Sequence, residues 1–145
     1  MTAPVRIARL SPDVALPIYQ TAGSAGFDLA SSADMTIAAG QIALVPTGLV
    51  IEVPAGHFLG VFARSSTPLK KGLMVANGVG VVDSDYCGPR DEIKVQVLNF
   101  TSQDVVVHRG DRLAQGVLLP FVRADWHEAQ DMDRTTRGGF GSTGQ

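Results

Sequence analysis

The chain carries one cysteine, Cys87, in 145 residues. That rules out an intramolecular disulfide and a cysteine-cluster zinc site, and it is the usage a reducing compartment permits, so a cytoplasmic location is the default expectation. No uninterrupted apolar run approaches the roughly 18 residues of a membrane-spanning helix. The opening MTAPVRIARLSPD has no long apolar stretch behind its charges, so no signal peptide is expected either. Excess charge is also missing: a formal net charge of -2 argues against a nucleic-acid partner bound through bulk positive charge, and any phosphate must be held locally. The sequence has no GxSxG, no P-loop and no HExxH, and His57, His108 and His127 lie far apart in contexts that read as surface or turn.

What is present is enough apolar content, 45%, for one domain with one core. Short runs rich in Val, Ile and Leu are cut by Gly, Pro or Asn about every 8 to 12 residues, the pattern of an all-β sandwich or barrel. Residues 41 to 53 (QIALVPTGLVIEV) read as two strands hinged at Pro46 to Gly48, and residues 57 to 66 as a strand running into a polar turn. Asn77-Gly78 predicts a β-hairpin, because both positions tolerate positive φ. In 91 to 100, Ile93, Val95 and Val97 share one face while Lys94 and Gln96 share the other, as in a half-buried strand. Two more strands are expected around Arg109 to Asp111, with helix confined to a short segment at 68 to 73 and one turn in RLAQ. The expected organisation is a β domain over residues 1–123 and a C-terminal arm over 124–145.

Polar residues that interrupt the strands carry the chemistry. Asp28 lies in AGFDLASS, where it is either a turn aspartate or a carboxylate near a metal. Arg64, Ser65 and Ser66 leave a strand together and could grip phosphate oxygens, although a surface ion pair and a hydroxyl-capped turn would look the same. In NGVGVVDSDY, a glycine-bearing hairpin could bring backbone donors and acceptors to a flat base, and Asp83 could deprotonate a water. Asp85 would share the face of Asp83 if the strand continued. Gln115 in GDRLAQG reads locally as an edge glutamine, and RGGFGSTGQ, with Arg137 and Phe140, as a loose tail.

Taken in order, AGFDLAS, RSS, NGVGVVDSDYCG, GDRLAQ and RGGFGSTG resemble the five motifs of the homotrimeric dUTP diphosphatases, and they span residues 25 to 144. The resemblance implies a jelly-roll β fold, a homotrimer with shared active sites, no membrane or nucleic-acid partner, and Mg²⁺-dependent hydrolysis of dUTP to dUMP and pyrophosphate. It also implies roles. Asp28 would hold the triphosphate-bound Mg²⁺ through water. Arg64, Ser65 and Gln115 would contact phosphates, and Asn77 with the backbone after it would read uracil. Tyr86 would lie under the deoxyribose, and Asp83 would activate the water that attacks the α-phosphorus. Phe140 would stack on the uracil, with Arg137 or Arg134 at the distal phosphates, and Ser66, Gly78, Val82 and Gly141 complete the substrate-contacting set.

Two departures from the family pattern stand out. Pro89, Arg90 and Asp91 read as an insertion that lengthens the turn after Gly88, and RGGFG is two residues shorter between arginine and phenylalanine than the usual arm. Two other readings compete. The dCTP deaminases share the fold but place a catalytic glutamate where Cys87 stands, and a thiol does not readily replace that carboxylate. A non-catalytic β-sandwich binding module would treat all five clusters as turns.

Overall fold

A computed structural model describes residues 2–141. It contains β1 (Arg6–Arg9), β2 (Phe27–Ala30), β3 (Met35–Ile37), β4 (Ile42–Pro46), β5 (Leu49–Glu52), β6 (His57–Ala63), β7 (Leu73–Val75), β8 (Gly80–Val82), β9 (Lys94–Asn99), β10 (Val105–Val107) and β11 (Arg112–Pro120). The strands form two main sheets, ordered β2-β11-β6-β8 and β4-β9-β7, and two ribbons, β1-β5 and β3-β10, with every pairing antiparallel. This is the all-β architecture that the short apolar runs predict and the jelly-roll-like fold that the family resemblance implies. No helix among the described residues is long and apolar enough to cross a membrane.

One core joins the two main sheets. Leu29, Leu59, Val61 and Leu113 from the first pack with Val45, Leu73, Val95 and Val97 from the second. Each such fully buried side chain stabilises the fold by about 1.5–3 kcal/mol relative to exposure. The alternation read in β9 holds, with Ile93, Val95 and Val97 buried, and the next residue on that face is Asn99, also fully buried. Its amide is satisfied completely: Nδ2 donates to the carbonyls of Ile37 (2.9 Å) and Gln103 (2.7 Å), and Oδ1 accepts from Thr101 N (3.0 Å) and Oγ1 (2.8 Å).

Two local expectations need correction. The Asn77-Gly78 turn exists, with Gly78 at φ 73°, but it does not close a hairpin. β7 pairs with β9 and β8 pairs with β6, so the turn carries the chain from one sheet to the other. The local turn chemistry is right, and the pairing is decided by burial on both sides of the core. RLAQ forms no helical turn; it starts β11, where Leu113 and Ala114 are buried and the pairing with β2 shifts register between Arg112 and Ala114. The helical segment at 68 to 73 is a single π-helical turn, Thr67–Lys71, ended by Gly72 at φ 66°.

After Pro120 the chain has no regular structure through Gly141, and Val122, Trp126, Met132 and Phe140 on it are exposed.

Candidate active site

Apart from those of the C-terminal segment, the predicted residues gather at two places. At the first, antiparallel pairing sets Gln115 of β11 opposite Asp28 of β2 on one side and Phe62 of β6 on the other, and opposed residues share a face. Asp28 is therefore a strand residue rather than a turn residue, and Gln115 sits on a central strand rather than an edge. The Asp28 carboxylate, only 12% exposed, accepts from Arg64 Nε at 2.7 Å on one oxygen. Its other oxygen accepts from Arg112 at 3.2 Å and from Gln20 Nε2 at 2.8 Å. A carboxylate so shielded from water is tolerable because two guanidiniums and an amide answer it.

Gln115 donates Nε2 to the carbonyl of Ala63 at 3.0 Å, directly before Arg64. Gly26 makes room for that amide: a Cβ there would lie 2.8 Å from Gln115 Oε1. These bonds leave most of the Arg64 fork and one Gln115 N–H free to donate. No described residue engages the hydroxyls of Ser65 or Ser66. Gln20 and Arg112 are not among the residues that the sequence pattern marks. Arg112 lies in the GDRLAQ cluster, whereas nothing local marks Gln20.

A cleft of about 420 Å³ opens beside Asp28 and is lined also by Gln20, Arg112, Arg109 and Asp13. The Ser11 hydroxyl and Arg109 hold the Asp13 carboxyl below its ordinary range. Burial pushes the Asp111 carboxyl up, but the His108 N–H and Lys71 outweigh it and the net shift is downward. Lys71 lies 3.0 Å from Asp111, tying the end of the π-helical turn to the start of β11.

At the second place, β8 is the edge strand of its sheet, so the side away from β6 leaves backbone donors and acceptors unpaired. Asn77 and Gly78 precede it and Val82 ends it. Asp83 follows immediately, exposed, and its carboxylate meets no described residue within hydrogen-bond or ion-pair distance. Because β8 stops at Val82, Asp85 falls in the turn and does not share a strand face with Asp83.

Tyr86 N bonds the Asp83 carbonyl at 3.2 Å, and the Tyr86 hydroxyl donates to the Glu92 carbonyl at 3.2 Å. Val82, Asp83, Tyr86, Arg90, Glu92 and Lys94 line a cleft of about 450 Å³. The lengthened segment is a self-contained turn: Gly88 N donates to Asp91 Oδ2 at 2.7 Å and Asp91 N to the Gly88 carbonyl at 3.0 Å. Glu92 closes it from outside by accepting from Gly48 N at 2.8 Å. Cys87 lies within this loop, its Sγ 3.5 Å from the Ser84 carbonyl.

The arm belongs to neither place. Arg134, Arg137 and Phe140 are exposed and line neither cleft. Gly138 and Gly141 have φ of 79° and 85°, and Phe140 itself has φ 51°, so the backbone coils tightly there. Residues 142 to 144, the end of the fifth motif, lie outside the described residues.

Comparison with known proteins bears on this arrangement. The dUTPase family pattern matches residues 13–144. The deoxyuridine 5'-triphosphate nucleotidohydrolase of Desulfitobacterium hafniense is 52% identical over 147 aligned positions, covering 97% of this chain and 95% of that protein. The Lactococcus lactis protein of the same name is 44% identical over 89% of this chain and 87% of its own length. Among solved structures, the dUTPase of Streptococcus mutans is 40% identical and superposes with a TM-score of 0.78, covering 83% of this chain and 98% of that one. A Staphylococcus bacteriophage 80alpha dUTPase solved with dUPNHPP is 18% identical with a TM-score of 0.87 over 99% of this chain and 100% of its own, a likeness of fold alone. Motifs, fold and relatives agree, and the chain belongs to the dUTPase family, the dUTP diphosphatases.

Proposed function

We propose that this chain hydrolyses dUTP to dUMP and pyrophosphate, at active sites that neighbouring copies complete in a homotrimer. The observation that carries the proposal is the division of labour within one chain. Asp28, which holds Arg64 and sits opposite Gln115, lines one cleft, Asp83 and Tyr86 line another, and an arm bearing Arg134, Arg137 and Phe140 lines neither. A site shared among copies brings such parts together.

In the proposed mechanism the free edge of β8, with Asn77 and Gly78 at its entrance and Val82 at its end, meets the edge of uracil, and a close backbone leaves no space for thymine's methyl group. Tyr86 lies under the sugar and rejects a 2′-hydroxyl. Arg64, Ser65, Ser66 and Gln115 hold the phosphates by charge-assisted hydrogen bonds. Asp83, exposed and unpaired among the described residues, orients an attacking water and takes its proton. The arm then closes, Phe140 stacking on the base, Gly141 allowing close approach, and Arg137 or Arg134 reaching the distal phosphates, so that bulk water is excluded.

The donor chemistry fits magnesium in one way. No group of three or more His, Cys, Asp or Glu among the described residues could hold a metal ion. Asp28 is bonded on both oxygens but keeps acceptor capacity on the one facing Arg64. That suits Mg²⁺ carried by the triphosphate and met by Asp28 through water. When bound, the ion offsets charge on the phosphates as the pyrophosphate leaves. A cytoplasmic location accords with the single cysteine.

Purified protein with Mg²⁺ should release pyrophosphate from dUTP far faster than from dTTP or UTP. Ammonia released from dCTP, or no turnover of any nucleotide, would overturn the assignment.

A further inference from the structure

Four polar residues are buried among the described residues: Ser31, Thr47, Thr67 and Asn99. Three of them fasten scaffold. Ser31 bonds the Ala33 carbonyl, Thr47 the Ile93 carbonyl, and Asn99 the carbonyls of Ile37 and Gln103. Thr67 differs, because it directly follows Arg64-Ser65-Ser66 and its hydroxyl reaches across to β11.

Thr67 is 1% exposed, and its Oγ1 donates to the Leu113 carbonyl at 2.9 Å. Leu113 sits at the register shift of β11, two residues before Gln115. From the other side, Gln115 Nε2 bonds the carbonyl of Ala63, the residue before Arg64. The three residues Arg64, Ser65 and Ser66 are thus bracketed front and back by side-chain bonds to one stretch of β11. Thr67 N also bonds the Arg64 carbonyl at 3.1 Å, which tightens the loop, and Lys71 with Asp111 anchors the far end of the turn.

We propose that Thr67 is a positioning residue for the triphosphate: its buried hydroxyl fixes the Arg64-Ser65-Ser66 loop at the spacing from Gln115 at which all four side chains can bind one polyphosphate. The role rests on the functional reading above and refines its phosphate half. Valine has nearly the shape of threonine but cannot donate, so Thr67→Val leaves the Leu113 carbonyl without that donor while filling the same space. The loop then samples positions in which its donors no longer converge. dUMP lacks the two outer phosphates and depends mainly on the β8 edge and Tyr86, so its binding should hardly change.

The test measures calorimetric affinity for the non-hydrolysable imido analogue of dUTP and for dUMP, with Mg²⁺, beside steady-state dUTP kinetics. Thr67→Val should weaken the analogue about tenfold and raise KM while dUMP affinity stays within about twofold, and Thr67→Ser should restore both. Unchanged analogue affinity, or equal losses for the two ligands, overturns the proposal, since a general loss of packing would not distinguish them. If Thr67→Val does not fold, Lys71→Met, which frees the far end of the same segment, must show the same selective loss, and equal losses again overturn it. A wild-type protein that releases no pyrophosphate from dUTP sinks the functional reading itself, a result separate from any difference between variants.

Discussion

Asp28 and Asp83 are both carboxylates of the same four-stranded sheet, one within a strand and one just past a strand's end, yet their surroundings are opposite. Asp28 is mostly shielded and bonded by two arginines and a glutamine, on a strand whose register sets it opposite Gln115. Asp83 lies just past the end of an edge strand, exposed and unpaired among the described residues. The contrast follows from the tasks proposed for them. A cluster that receives a polyphosphate needs its cations held apart and aimed before the ligand arrives, and a counter-carboxylate does that. A group that must take a proton from water needs an acceptor not already committed to a donor.

The largest effect expected from breaking this contrast is at Asp83. Asp83→Asn should lower kcat by roughly a hundredfold to ten-thousandfold while affinity for the imido analogue of dUTP stays near wild type. Loss of binding instead would make Asp83 part of the binding cluster. Deleting residues 137–145 should come next, with a loss of kcat/KM of about a hundredfold. Its melting temperature and oligomeric size should be unchanged by calorimetry and light scattering, and normal turnover would reduce the arm to a tail. Arg134→Ala and Arg137→Ala, assayed separately, identify the arginine that reaches the phosphates: one should raise KM about tenfold and the other by no more than about twofold.

Tyr86→Phe is expected to be milder. It removes only the long hydroxyl bond to the Glu92 carbonyl, so discrimination between dUTP and UTP, read as a ratio of kcat/KM, should fall by a few-fold. The smallest effect concerns acid stability. Asp13 and Asp111 have carboxyls held below the ordinary 3.8 in the folded chain, so the stability they add is present above that value and fades as pH falls through their lowered folded range. Asp111→Asn should therefore flatten the decline in melting temperature below about pH 4 and change little at neutral pH; an undiminished decline would place the acid-sensitive group elsewhere.

Much of the fold is legible in the sequence because strand signals are local. The β4/β5 hinge at Pro46 to Gly48, the alternation of Ile93, Val95 and Val97, and the turn at Asn77-Gly78 all appear where the residue pattern places them. Pairing is not local, and there the pattern misleads. A turn sequence suited to a hairpin instead joins two sheets, and RLAQ, which has fair helix formers, is drawn into β11 by the burial of Leu113 and Ala114. Among site residues, Asp28, Arg64, Asp83 and Gln115 stand out as polar interruptions of apolar runs. Gln20 and Glu92 do not, since their parts depend on partners 8 and 44 residues away.

By itself the sequence determined the strands, most turns and the inventory of polar groups at strand ends, because backbone preference and side-chain alternation act over a few residues. Only the tertiary structure decided which of those groups meet. Register across β2, β11 and β6 sets Asp28 beside Gln115, and the side-chain bonds to Asp28 and the Ala63 carbonyl bring Arg64 to them. The same sheet order leaves the outer edge of β8 open beside Asp83. The physical reason is that long-range pairing is chosen by the burial of a shared core, which no short window of residues contains.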